Sequence, residues 1–346
     1  MTKIFDLFAG VGGFRLAAEQ AFRKNKIRSE FVGWCELDKF CQITYKSNFQ
    51  TQKEFFIDNI KKITSPRKTD CNQKNYAGIL RSRFIQNQLP NFDLLFAGFP
   101  CQSFSRMGNE KSFKDSRGAL FFDIAAILSS IQPKYFILEN VRRILSIDNK
   151  KTIKTITKIL DSIGYYVDIL ILDSKDYGVP QTRRRAFIYG YQKGLKVKFP
   201  LAPPPIRTLK KTTRDLLDNN ADIKYHLSDK ILKTILSDGT GGFYQKSEID
   251  LEIARPLTKT MHKMHRANQD NYFSNQFILG DRQRKWIRKL TPTEAFRLQG
   301  FPDRFVENAR QRDVSDAQLY RQAGNAVTVN TVEALLNSLI EQNWFY

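Results

Sequence analysis

Over roughly the first 190 residues, short apolar runs alternate with stretches of helical periodicity. KIFDLF, SEFVGWCEL, FDLLFAGF, KYFILENV, YYVDILILD and RRAFIYGY have strand length and are rich in aromatic and β-branched residues. Between them, GFRLAAEQAFRK and GALFFDIAAILSSI repeat apolar residues at i, i+3 and i+4, as helices do. This alternation predicts an α/β fold with a doubly wound, mostly parallel sheet. Functional residues on such a sheet gather beyond the carboxyl ends of its strands.

Near residue 195 the pattern changes. FPLAPPPIRTLKK is proline-rich, and from there to about 282 the chain is polar, basic and without clear periodicity. Residues 1–194 therefore read as a large domain, 195–282 as a smaller domain or insertion, and 283–346 as a return to the first. In RKLTPTEAFRLQGFPDRF, Thr291 is suited to cap a helix that has Pro292 at its first position and Glu294 completing a capping box. AGNAVTVNTVEALLNSLIEQ is expected to end in a helix packed on the first domain. The chain shows no internal repeat.

Composition narrows the class of protein. Against 35 Asp and Glu stand 56 Lys and Arg, a formal charge of +21 over 346 residues, and such an excess favours a polyanionic partner, nucleic acid first. Cys35, Cys41, Cys71 and Cys101 form no CxxC pair and no metal-like spacing, which argues against a zinc site or a disulfide framework. MTKIFDLFAGVGGF is not patterned as a leader, and no run of about 18 uncharged apolar residues occurs. The expectation is a cytoplasmic protein with no membrane partner.

Candidate chemistry collects at the ends of the expected strands. DLFAGVGGF places Gly10, Gly12 and Gly13 between the first strand and the first helix, where glycine allows positive φ and a ligand's close approach. Glu36 follows the second strand at the distance of a ribose-binding acid, so the pair suggests an adenosine-containing cofactor. GFPCQSFS sets Cys101 directly after Pro100 at a strand exit, where a thiolate could meet a substrate. Glu139 in ENV ends another strand and should emerge near Cys101. In QTRRRAF, Arg183 and Arg185 share a face if the segment is extended. The polar loop after Cys101 and the run DRQRKWIRK add cations suited to phosphate. Singly, each has a plain structural alternative: a tight turn, a buried thiol, a capping carboxylate, a solvated edge strand.

Taken in order, DLFAGVGGF, GFPCQSFS, DSRGALFFDI, ENV, QTRRR, LTPTEAFRLQGFP and GNAV resemble the DNA cytosine-5 methyltransferases over nearly the whole chain, apart from about 195–280. The resemblance implies a Rossmann-like methyltransferase domain, S-adenosylmethionine as cofactor with S-adenosylhomocysteine as its product, no metal, and a target-recognition domain at 195–282. It assigns nucleophilic attack on carbon 6 of a flipped-out cytosine to Cys101, shaped by Pro100. Glu139 is assigned to the base's N3 edge, Arg185 to its carbonyl, and Arg183 to the support of Glu139 or the loop. Phe8, Gly10, Gly12, Glu36, Leu37, Asp58, Asn59, Ile60, Gly98, Leu120, Asn325 and Ala326 fall at cofactor positions, and Ser105, Arg106, Met107, Arg117 and Gln181 at DNA positions. Three residues depart from the family pattern: Leu37 for an aromatic, Asn59 for an aspartate with Asp58 adjacent as a substitute acceptor, and Ala326 for a serine. Base-reading side chains are expected within Gly239–Tyr272.

The partner so implied is double-stranded DNA, met by a monomer, with a cognate restriction endonuclease acting separately. A tRNA cytosine-5 methyltransferase and a catalytically silent DNA-binding relative remain as alternatives. The long basic recognition segment and the absence of a Cys-Phe-Thr signature weigh against the first, and the joint presence of Cys101, Glu139 and Arg185 against the second. His226, His262 and His265 lack the companions of a metal site.

Overall fold

The computed structural model describes residues 1–64, 83–99, 119–197, 199–237, 248–263, 268–280 and 286–345. Its main sheet contains β1 Thr2–Leu7, β2 Ser29–Cys35, β3 Phe55–Ile57, β4 Leu94–Gly98, β5 Tyr135–Val141, β6 Tyr165–Asp173 and β7 Arg184–Gln192. Their order is β3-β2-β1-β4-β5-β7-β6, and β7 runs antiparallel to both of its neighbours. All six strands expected from the sequence form. The three-residue β3 carries too little pattern to be seen there.

Both faces of the sheet are covered, which is why its inner strands read as nearly continuous apolar runs. On one face Ile4, Phe96, Ile137 and Tyr189 pack with residues of helices Gly13–Lys24 and Val329–Glu341. On the other, Phe5, Leu95, Phe136 and Ile188 pack with helices Ala119–Ile131 and Lys151–Ser162. The last long helix returns to the first as expected, and Asn25 Nδ2 donates to Asn337 Oδ1 at 2.7 Å between them. From β1 the chain moves outward to β2 and β3, then recrosses to β4 and β5. The crevice at the carboxyl ends of β1 and β4 is therefore a topological switch point, the usual ligand site of such sheets.

A second ladder pairs β8 Tyr272–Ser274 with β9 Ile287–Lys289. The boundary expected at 282 thus falls between two paired strands. Leu217, Tyr225, Leu257 and Phe273 share one apolar core with Phe296, Phe305 and Leu319, so the middle segment is seated on the returning C-terminal part. The capping box forms: Thr291 Oγ1 accepts from Glu294 N at 3.2 Å, and Glu294 Oε2 accepts from Thr291 N at 2.7 Å. Glu294 also receives both guanidinium nitrogens of Arg288, at 2.7 and 2.8 Å, with both side chains wholly buried.

Candidate active site

Beyond β1 the chain turns sharply, with φ of 55° at Phe8, 56° at Gly10 and 90° at Gly12. A Cβ on Gly12 would lie 2.3 Å from a ring carbon of Phe49, whereas one on Gly10 would meet nothing within 4 Å among the described residues. The turn is therefore packed on one side and open on the other. Glu36, just past β2, holds it in place: Oε2 accepts the Gly10 N–H at 2.8 Å and Oε1 the Asp38 N–H at 2.7 Å. Burial pushes the Glu36 carboxyl above its ordinary range, against the pull of those two hydrogen bonds. Leu37 beside it is 68% exposed. The GNAV segment borders the same turn, since a Cβ on Gly13 would lie 2.7 Å from Val327 Cγ1. Asn325 there is exposed and Ala326 is buried.

Ile60 and Leu120 belong to one apolar cluster on the far side of the sheet. Asp58 is engaged in an exposed ion pair with Lys62 at 2.7 Å, which holds its carboxyl below the usual range. Asn59 Oδ1 accepts the Lys61 N–H at 3.0 Å and so starts the short helix Lys61–Thr64. Both of the acceptors considered at this end of the site therefore already have local partners.

Next along the edge, Gly98 at the end of β4 lies in register with Glu139 of β5. A Cβ on Gly98 would come within 3.6 Å of Glu139 Oε2 and 3.7 Å of the Phe14 ring, so the lack of a side chain leaves the carboxylate room. Arg185 Nε lies 2.9 Å from Glu139 Oε1. Burial raises the Glu139 carboxyl above its ordinary value, opposed by the charges of Arg185 and Arg183. Asn140 Nδ2 donates to the Phe99 carbonyl at 2.9 Å and fixes the chain leaving β4. Pro100, Cys101, Ser105, Arg106, Met107 and Arg117 lie outside the described residues, as do Cys71 and His265.

One expectation is narrowed and one corrected. Arg183 supports Glu139 through its charge, while its buried guanidinium donates to the carbonyls of Leu257 at 3.0 Å, Gly324 at 3.0 Å and Ala326 at 2.9 Å. It ties the middle segment to GNAV, and burial reinforced by Arg185 brings it down to about 9. Gln181, expected at DNA, is fully buried; it donates to the Leu298 carbonyl at 2.6 Å and accepts the Leu257 N–H at 3.0 Å. Neither amide atom is presented to a ligand. Sequence reasoning also passed over Asp6, a wholly buried carboxyl with no hydrogen-bond partner among the described residues, which burial drives well above its ordinary value. Its place directly before the glycine turn was the available signal.

Sheet order, switch-point crevice and glycine turn together define a Rossmann-like methyltransferase fold. The chain belongs to the C-5 cytosine-specific DNA methylase family, whose family model matches residues 2–341. It is a DNA (cytosine-5-)-methyltransferase. Among its relatives, Type II methyltransferase M1.ScrFI of Lactococcus lactis subsp. cremoris is 34% identical, covering 98% of this chain and 78% of its own length. Type II methyltransferase M.NlaX of Neisseria lactamica is also 34% identical, covering 98% and 96%. The solved structure of Entamoeba histolytica methyltransferase EhMeth superposes with a TM-score of 0.71 at 22% identity, covering 99% of this chain and 98% of that one. Among the described residues, no group of three or more His, Cys, Asp or Glu could hold a metal ion, and no helix is long and apolar enough to cross a membrane.

Proposed function

We propose that this enzyme is the modification partner of a Type II restriction-modification pair, methylating one cytosine within a short duplex sequence from S-adenosylmethionine. Relatives at 34% identity over 98% of the chain carry the Type II name, and a separate cognate endonuclease and a monomeric enzyme in the bacterial cytoplasm go with that reading. The observation that carries the chemistry is Glu139, in register with Gly98 and paired with Arg185, because Cys101 stands three residues beyond Gly98 in the chain.

The residues present suit the cofactor. Gly10 is open where a Cβ would point, and Glu36 lies at the turn with lone pairs left for ribose hydroxyls. Phe8, Gly12, Leu37, Asn325 and Ala326 border that turn, with Asp58, Asn59, Ile60, Gly98 and Leu120 assigned to the remainder of the site. S-adenosylmethionine, when bound, supplies an electrophilic methyl group. Cytosine's carbon 5 is no nucleophile until a group adds at carbon 6, and the Cys101 thiolate is assigned that addition. Glu139 holds a proton toward N3 and accepts from the exocyclic amine, stabilising charge that develops as the thiolate adds. Arg185 orients Glu139 and faces the base's carbonyl oxygen. Once carbon 5 carries the methyl group, its proton passes to water, and the electrons of the carbon 5–hydrogen bond re-form the 5,6 double bond as the carbon 6–sulfur bond breaks and returns the thiolate. The base must leave the helix to reach these groups.

Bisulfite sequencing of DNA from a bacterial host without cytosine methylation, with and without this gene, tests the proposal. Methylation of one cytosine in a recurring short sequence is the expected result. An unmethylated genome in the presence of folded enzyme would reject it.

A further inference from the structure

Immediately beyond Glu139, the chain leaves β5 through the 3₁₀ turn Arg142–Leu145 and enters helix Lys151–Ser162, which packs against that turn. Arg142, Arg143, Lys150, Lys151, Lys154 and Lys158 are all exposed, and none makes an ion pair among the described residues. Asp148 is the one carboxylate in the sequence from 142 to 158. Other exposed lysines near the sheet do find acids, as Lys62 does with Asp58, Lys134 with Asp93 and Lys193 with Asp161.

The cations also sit where they cost the helix stability. Lys150 occupies the N-cap with φ of 68° and no capping hydrogen bond, and the first turn contains no acid. Cations at this end oppose the helix macrodipole, which favours negative charge there. Their placement gives the helix nothing and is relieved by an anion laid across them. Lys150 to Lys158 covers about 12 Å at a rise of ~1.5 Å per residue, comparable to three or four base-pair steps at ~3.4 Å.

We propose that Arg142, Arg143, Lys150, Lys151 and Lys154, continued by Lys158, form a landing surface for the phosphate backbone of duplex DNA flanking the target cytosine. The inference rests on the function proposed above, since it takes the DNA to approach the carboxyl edge that carries Glu139. The surface contributes affinity and no base reading, because phosphate contacts are independent of sequence.

The triple variant Lys150→Gln/Lys151→Gln/Lys154→Gln tests it by fluorescence anisotropy with a 30-base-pair random-sequence duplex at several salt concentrations. The slope of log K against log salt is expected to fall in magnitude by up to ~2.7, at ~0.9 per lost phosphate contact, with binding at 0.1 M salt at least about tenfold weaker. Arg23, Lys24 and Lys26, exposed at the opposite edge of the sheet, supply the control Arg23→Gln/Lys24→Gln/Lys26→Gln, with the same change in net charge. A wild-type slope in the first variant, or an equal loss in the control, overturns the proposal. Loss of the function reading itself would appear separately, as wild-type enzyme that methylates no cytosine.

Discussion

Arg185 and Glu139 meet at 2.9 Å with their side chains 17% and 14% exposed. The contact follows from register: β7 runs against β5 so that Arg185 lies opposite Val141, making it the diagonal neighbour of Glu139 on the same face of the sheet. A carboxylate desolvated at a strand end thus has a cation fixed beside it by backbone pairing. Flexible loops are not needed to hold the two together.

Glu139→Gln is expected to lower kcat by about 10²–10³-fold, the scale for removing one preorganised group that stabilises developing charge. The amide can still accept from Arg185, so thermal unfolding should shift little. Single-turnover methylation with saturating duplex measures the effect. Loss of less than about threefold would remove Glu139 from the chemistry.

Cys101→Ser is expected to abolish methyl transfer and leave duplex binding largely intact, because a hydroxyl at neutral pH has almost none of the nucleophilicity of a thiolate. A gel-shift assay beside the methylation assay separates the two. Comparable turnover would reject Cys101 as the nucleophile.

Gly10 and Gly12 should respond differently to alanine. Both have positive φ, which costs an L residue roughly 1–2 kcal/mol. In Gly12→Ala the new methyl also collides with Phe49 and Tyr45, so unfolding should occur several degrees lower. In Gly10→Ala it meets none of the described residues, so stability should fall modestly while calorimetric binding of S-adenosylmethionine is lost. Undiminished cofactor binding by Gly10→Ala would move the cofactor away from this turn.

Asp6 makes a pH prediction. Burial raises its folded pKa well above the unfolded value near 3.8, so its favourable contribution is complete below about pH 4 and is lost as pH rises toward and through the folded value. Asp6→Asn should therefore gain stability over wild type as pH increases, by up to ~1.4 kcal/mol per pH unit until the folded pKa is reached. Urea unfolding at pH 5, 6 and 7 measures the gap. A constant difference across that range would mean Asp6 is ionised throughout.

The sequence made the strands visible because β1, β2, β4, β5, β6 and β7 are each a distinct apolar run, and most are covered on both faces. The capping box at Thr291 was legible for a similar reason, since its partners lie three residues apart. Distant pairings were not. Arg183 could be placed on the same face as Arg185 by counting residues, but its acceptors at Leu257, Gly324 and Ala326 lie 74 to 143 residues away. Gln181 falls at a DNA position by resemblance, and nothing local signals that its amide is taken up by the Leu298 carbonyl and the Leu257 N–H. Periodicity reports which face a side chain takes, and burial by remote segments lies beyond it.

Glu294 joins two jobs that local sequence reported as one. It completes the capping box, and it also receives Arg288 from β9 and the Asp218 N–H at 2.6 Å from the middle segment. Arg288 in turn donates to the Asp218 carbonyl at 3.0 Å, so this buried pair fastens the middle segment to the helix Pro292–Arg297. Removing one charge leaves the other buried without compensation, and Glu294→Gln is expected to cost about 3–5 kcal/mol in urea unfolding. Replacing both, as Arg288→Met with Glu294→Leu, should cost less than the sum of the single changes, since no orphaned charge remains. DNA affinity should fall in the single variant before cofactor affinity does, because the pair lies with the segment assigned to recognition and apart from the glycine turn. Strict additivity in the double variant would mean the two charges act independently, with Glu294 serving the helix cap alone.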